Sequence, residues 1–207
     1  MKSRIVILAI LLFSSVSGFN ITSEKSNNTV VKKWIGKKII IPSDTLSIKI
    51  INSTIFDYSI FFKSDNIKLI VSINGESETC VYKLKTVEAF ADQLLSSYEN
   101  ISLLVYVNSM TTDFYNFKIK NDNEIKFKYP LLYDNENKYL KENKFSSNDF
   151  YSILLCDKDD KILMIGDFTT NKALKDLYLN QIESHASHLI YDYPIKPKIT
   201  KTPIKIP

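Results

Sequence analysis

The stretch that most restricts the possible folds runs from residue 67 to 107. Ile67-Lys68-Leu69-Ile70-Val71-Ser72-Ile73 is an almost continuous apolar run that ends at Asn74-Gly75, a turn signal. Leu84, Val87, Ala91, Leu94 and Leu95 then recur at helical spacing, which predicts an amphipathic helix over about 80–98. Ile101 to Val107 is a second continuous apolar run. Strands buried on both faces read this way, and two of them joined through a helix make a parallel pair. An α/β protein follows.

The flanks extend the pattern. Leu46, Ile48 and Ile50 alternate with polar residues, and Ile55 to Phe62 is aromatic and β-branched, so residues 34–62 read as a β-hairpin arm. Residues 111–120 suit helix or strand, and Phe127 to Tyr133 and Phe150 to Cys156 suit strands. Asp157-Lys158-Asp159-Asp160 turns the chain into a hairpin with Lys161 to Gly166. Thr170 is placed to cap a last helix whose apolar face is Leu174, Leu177, Tyr178 and Ile182. Residues 19–33 are polar and read as flexible. Residues 184–207, with Pro194, Pro197, Pro203 and Pro207 among lysines, read as an extended tail.

The first eighteen residues read as an export signal. Lys2 and Arg4 form a positive end, Ile5 to Phe13 an apolar core, and Val16 and Gly18 a small-residue exit before Phe19. An apolar core this short covers roughly half of a bilayer, which disfavours a retained span. No cysteine follows it to carry a lipid anchor. A periplasmic or extracellular protein is expected.

Losing Lys2 and Arg4 would lower the formal charge from +4 to +2, and would remove the only arginine. A chain without guanidinium groups has no planar two-pronged donor for phosphates or guanine edges, so sequence-specific nucleic-acid binding is not expected. His185 and His188, three apart, have no third ligand near them, and Cys80 and Cys156 fit no metal spacing. No metal or other cofactor is expected. Gly36, Gly75 and Gly166 are isolated, and no phosphate loop or catalytic triad is present.

The order strand, helix, strand, helix, strand, strand, helix over 67–183 resembles the thioredoxin fold. Trp34-Ile35-Gly36-Lys37 with Pro42, Leu154 to Lys161, Ile165-Gly166-Asp167 and Lys175-Asp176-Leu177-Tyr178 resemble segments of exported bacterial thioredoxin-like proteins. That family is related to the TlpA-like thiol–disulfide oxidoreductases, and many of its members are lipoproteins. The resemblance implies a three-layer thioredoxin-like sandwich over 63–183, with the β-arm before it and the tail after it. It also implies a redox pair at the first central helix, with Cys80 at the first position and Lys83 at the second. Lys83 cannot resolve a mixed disulfide. The cis-proline that the fold usually has before its fourth strand would fall near Tyr151, and Phe150-Tyr151-Ser152 contains none.

Cys80 at a helix start with Lys83 one turn on favours a thiolate, whereas Glu76 and Glu78 oppose it. Cys156, inside an apolar strand, reads as a small core residue. A disulfide between them has no special warrant. A one-cysteine peroxidase, suggested by Ser77 three residues before Cys80, is set aside because Ile73 stands where that family has proline and no arginine is available. The expectation is a redox-degenerate module that binds an envelope protein or peptide. The alternative is a single-cysteine oxidoreductase in which Cys80 attacks and an external thiol resolves.

Overall fold

The structure, a computed structural model, describes residues 31–42, 48–51 (main chain only), 66–108, 114–134, 136–145 and 152–187. The elements in chain order are β1 (Ile48–Ile51), β2 (Ile67–Asn74), α1 (Cys80–Leu95), β3 (Ile101–Asn108), α2 (Phe114–Lys120), β4 (Leu131–Asp134), α3 (Lys138–Glu142), β5 (Ile153–Cys156), β6 (Ile162–Ile165) and α4 (Lys172–Glu183). A π-helical turn, Asn121–Ile125, continues α2. Among the described residues the strands form a six-stranded sheet in the order β1-β4-β3-β2-β5-β6. β2, β3 and β4 run parallel, and β1, β5 and β6 pair antiparallel with their neighbours.

Alternation along the strands makes two cores. Ile67, Leu69, Val71 and Ile73 of β2 face a core that takes in Leu84, Val87, Phe90 and Leu94 of α1 and Tyr178 and Ile182 of α4. Phe117 and Ile125, from α2 and its π turn, are buried in the same core. Ile70, Leu104, Tyr106, Leu154 and Cys156 belong to the core on the other face, which is covered by α3 and by residues 31–42. The result is three layers, the α/β architecture that the strand and helix pattern predicts.

The turn after β2 depends on its glycine. The Gly75 N–H donates to Asn108 O at 2.7 Å. A Cβ at Gly75 would lie 2.9 Å from Phe117 Cδ2 and 3.0 Å from Val107 Cγ1, closer than packed carbons approach. At the other hairpin, Asp157 Oδ1 accepts the N–H groups of Asp159 and Lys161, both at 2.9 Å, and Asp160 takes a positive φ of 64°. That is an Asx turn, as the run of aspartates suggests.

Several boundaries differ from the sequence expectation. A helical turn over 31–34 overlaps the end of the segment read as flexible, because Val31 and Ile35 pack against the second core. α1 stops at Leu95. The ambiguous 111–120 run contributes a helix, and the following strand is confined to Leu131–Asp134 because Lys126 turns left-handed with φ 52°. α4 is capped by Asn171, whose side chain accepts from Leu174 N at 3.0 Å, rather than by Thr170. The first residues read as tail are tied down: Ser187 N donates to Asn100 Oδ1 at 2.7 Å. The export signal, the second run of the arm (Ile55 to Phe62), Tyr151, His188 and the proline-rich end lie outside the described residues. Among the described residues, no helix is long and apolar enough to cross a membrane.

Candidate functional site

Cys80 is the first residue of α1, as its apolar spacing predicts. Thr79 before it makes no side-chain cap. The turn is instead closed by Cys80 N donating to Ser77 O at 3.0 Å and by the Ser77 and Thr79 hydroxyls meeting at 2.9 Å. The helix start thus presents hydroxyls at its rim while the thiol points into the core.

Cys80 is 0% exposed. Burial pushes its thiol up to about 11, and the amines of Lys120 and Lys83 offset this only in part. The expected contest between the helix start and Glu76 and Glu78 is therefore decided by a third factor, desolvation. Cys156 is likewise 0% exposed, and burial pushes its thiol up further. Both thiols are free, and they belong to cores on opposite faces of the sheet.

Lys83 sits one turn beyond Cys80, but its amine is engaged elsewhere. Its Nζ lies 2.8 Å from Asp167 Oδ2, and each side chain is 15% exposed. Asp167 follows Gly166 in the loop between β6 and α4. Its burial raises the carboxyl, but bonds from Lys83 and Thr169 outweigh that and hold it below the usual carboxylate range. The same loop receives Tyr82, whose hydroxyl donates to Thr169 O at 3.2 Å. Deeper, Tyr178 OH donates to Ile153 O at 2.8 Å and Gly166 O at 3.0 Å, fastening α4 to the β5–β6 hairpin.

The structure therefore brings Lys83 together with Asp167 rather than setting it free beside the sulfur. Asp167, Thr169 and Lys120 were not legible as partners of this site. Asp167 is part of a segment that resembles the family, but its pairing with Lys83 depends on how α4 and α1 share a face of the sheet. His185 Nδ1 donates to Gln181 O at 2.8 Å, and Ser184 Oγ lies 2.7 Å from the same nitrogen. No group of three or more metal-ligating side chains occurs among the described residues.

No protein-family model matches the sequence, and no curated protein is similar enough to count as a match. Solved structures do match. The reduced form of the N-terminal domain of PilB from N. meningitidis aligns with a TM-score of 0.50 at 17% identity, covering 68% of this chain and 96% of that one. A thioredoxin-like protein in its oxidised form aligns at 0.51 with 12% identity, covering 74% and 99%. The C-terminal domain of a candidate thiol–disulfide oxidoreductase from Bacteroides thetaiotaomicron aligns at 0.50 with 17% identity, again covering 74% and 99%. Strand order, layers and these likenesses agree: the chain has a thioredoxin-like fold.

Proposed function

We propose that the chain is an exported thioredoxin-like module that binds a protein or peptide in the cell envelope and does not cycle electrons at Cys80. The observation that carries this reading is the enclosed sulfur. An attacking thiol must reach solvent and be partly ionised, and a buried thiol pushed up to about 11 is neither at neutral pH. The half-buried side chain at the same end is Ser77, three residues earlier, and a hydroxyl cannot form a mixed disulfide. Lys83, held by Asp167, supplies no second sulfur.

The descriptions of the similar structures weigh toward a second reading, a single-cysteine thiol–disulfide oxidoreductase. In it the Cys80 thiolate attacks a substrate disulfide, one substrate sulfur leaves as thiolate, and an external thiol then releases Cys80 from the mixed disulfide. At 17% identity and below, that likeness reaches the fold alone.

One assay separates the two. Reduction of a glutathione mixed disulfide by the purified protein is measured beside Cys80→Ser, with maleimide labelling at neutral pH as a readout of sulfur access. Equal rates and slow labelling support the binding module. Turnover well above that of Cys80→Ser establishes the oxidoreductase. Export is checked separately, by the N-terminal sequence of the protein recovered from the envelope fraction, expected to begin at Phe19.

A further inference from the structure

The second face of the sheet is closed in an unusual way. Residues 31–42 lie across it, yet only Ile39 and Pro42 of these twelve are buried. Much of the attachment runs through main-chain groups. Gly36 N donates to Ile162 O at 2.8 Å, Ile162 N to Lys37 O at 3.0 Å, and Ile39 N to Asp160 O at 3.0 Å, so this segment pairs with the outer edge of β6. At the next residue a side chain takes over. Asn143, 8% exposed at the end of α3, accepts from Ile40 N and donates to Ile40 O, both at 2.7 Å. Tyr106 OH then donates to Pro42 O at 3.0 Å.

Asn143 is itself fixed, since its Nδ2 also donates to Tyr139 O at 2.9 Å. Beneath and beside the segment lie stacked aromatics: Tyr106 and Tyr139 are parallel at 5.0 Å, Tyr139 meets Phe145 at 5.7 Å, and Trp34 meets Phe145 edge-on at 4.9 Å. A sheet edge that pairs main chain, followed by a buried amide that pairs main chain on both sides of one residue, recognises an extended polypeptide with little regard to its side chains. The deep side-chain requirements are the aliphatic group at Ile39 and the ring of Pro42, and the exposed Ile40 imposes none.

We propose that this groove, formed by the β6 edge, Asn143 and the Tyr106–Tyr139–Phe145 aromatics, is a peptide-binding site occupied in cis by residues 36–42. Its ligand in trans is an extended segment of a partner polypeptide with an aliphatic residue at the Ile39 place. The site lies on the face of the sheet opposite Cys80 and is independent of any chemistry there.

The test uses the full chain carrying Ile39→Ala, which loosens the cis segment, and a fluorescent synthetic peptide of residues 31–42 as the probe. The expected result is saturable binding by Ile39→Ala and about tenfold weaker binding by the unaltered chain, where the cis segment competes. A peptide N-methylated at Ile40 removes the N–H that Asn143 accepts without changing the protein, and binding is expected to be lost. Asn143→Ala in the Ile39→Ala background is expected to do the same, with circular dichroism to show that it folds. Cys80→Ser in that background is expected to bind as its parent does. Failure to bind, equal binding by the N-methylated peptide, or loss of cooperative folding in Ile39→Ala overturns the proposal. The last outcome would make residues 31–42 an inseparable part of the core.

Discussion

The two faces of the sheet are closed by different physics. On the Cys80 face, α1 and α4 bury whole side chains: Leu84, Val87, Phe90 and Tyr178 are each 0% exposed. On the Cys156 face, the covering segment 31–42 is held largely by main-chain pairing with β6 and by Asn143. The first kind of closure is cooperative, because removing a side chain leaves a hole that its neighbours cannot fill. The second is local, because an extended segment can lift while the sheet beneath keeps its own hydrogen bonds.

Substitutions on the two faces test this contrast most sharply. Leu84→Ala is expected to destabilise the whole fold by about 3–5 kcal/mol, read as a shift in the urea midpoint. Ile39→Ala is expected to cost the global fold about 1–2 kcal/mol while hydrogen exchange accelerates over 36–42, because local release limits the loss. Equal global losses would erase the distinction between the faces.

The thiol on the helical face gives a pH signature. Burial raises the Cys80 pKa from 9.0 to about 11, so the folded state holds the proton more tightly than the unfolded chain does. Stability from this group is complete below pH 9 and is lost as pH rises from 9 to about 11, by about 2–3 kcal/mol in all. Cys80→Ala is expected to flatten the alkaline limb of the stability profile over that window. An unchanged limb would place its origin in other groups.

The Lys83–Asp167 pair acts in the opposite direction. The carboxyl is held below its usual range, so its contribution is present above the ordinary aspartate pKa and fades as pH falls below it. Asp167→Asn is expected to cost about 1–2 kcal/mol at neutral pH and to reduce the acid sensitivity of unfolding. The smallest effect belongs to Lys118–Asp122, a pair whose side chains are 47% and 44% exposed. Asp122→Asn is expected to change stability by less than about 0.5 kcal/mol in physiological salt.

How much the residues disclosed follows the same division. Leu84, Val87, Ala91 and Leu94 marked the buried face of α1 because a helix that packs by side chains must repeat its apolar residues with the helical period. The continuous runs at 67–73 and 101–107 marked central parallel strands for the same reason. The Cys80 helix start was legible, but the enclosure of its sulfur was not, since that depends on how deeply α1 sits against the sheet. Asn143 carries no periodic signal at all, because its partner is the backbone of a residue far away in sequence, and any residue type offers the same N–H and C=O. The cap of α4 was misplaced by one residue because Thr170 and Asn171 are both good capping residues, and only the local main-chain course selects between them.

The amino-acid order alone settled the βαβ centre, the β5–β6 hairpin, the final amphipathic helix and the presence of a single cysteine at the tip of α1, since each is a short-range pattern of polarity or turn chemistry. Tertiary structure alone decided that this cysteine is shut away from solvent, that Lys83 spends its charge on Asp167, and that residues 31–42 complete the second face. Desolvation and long-range hydrogen bonding are properties of what surrounds an atom in space, and neighbours along the chain do not specify those surroundings.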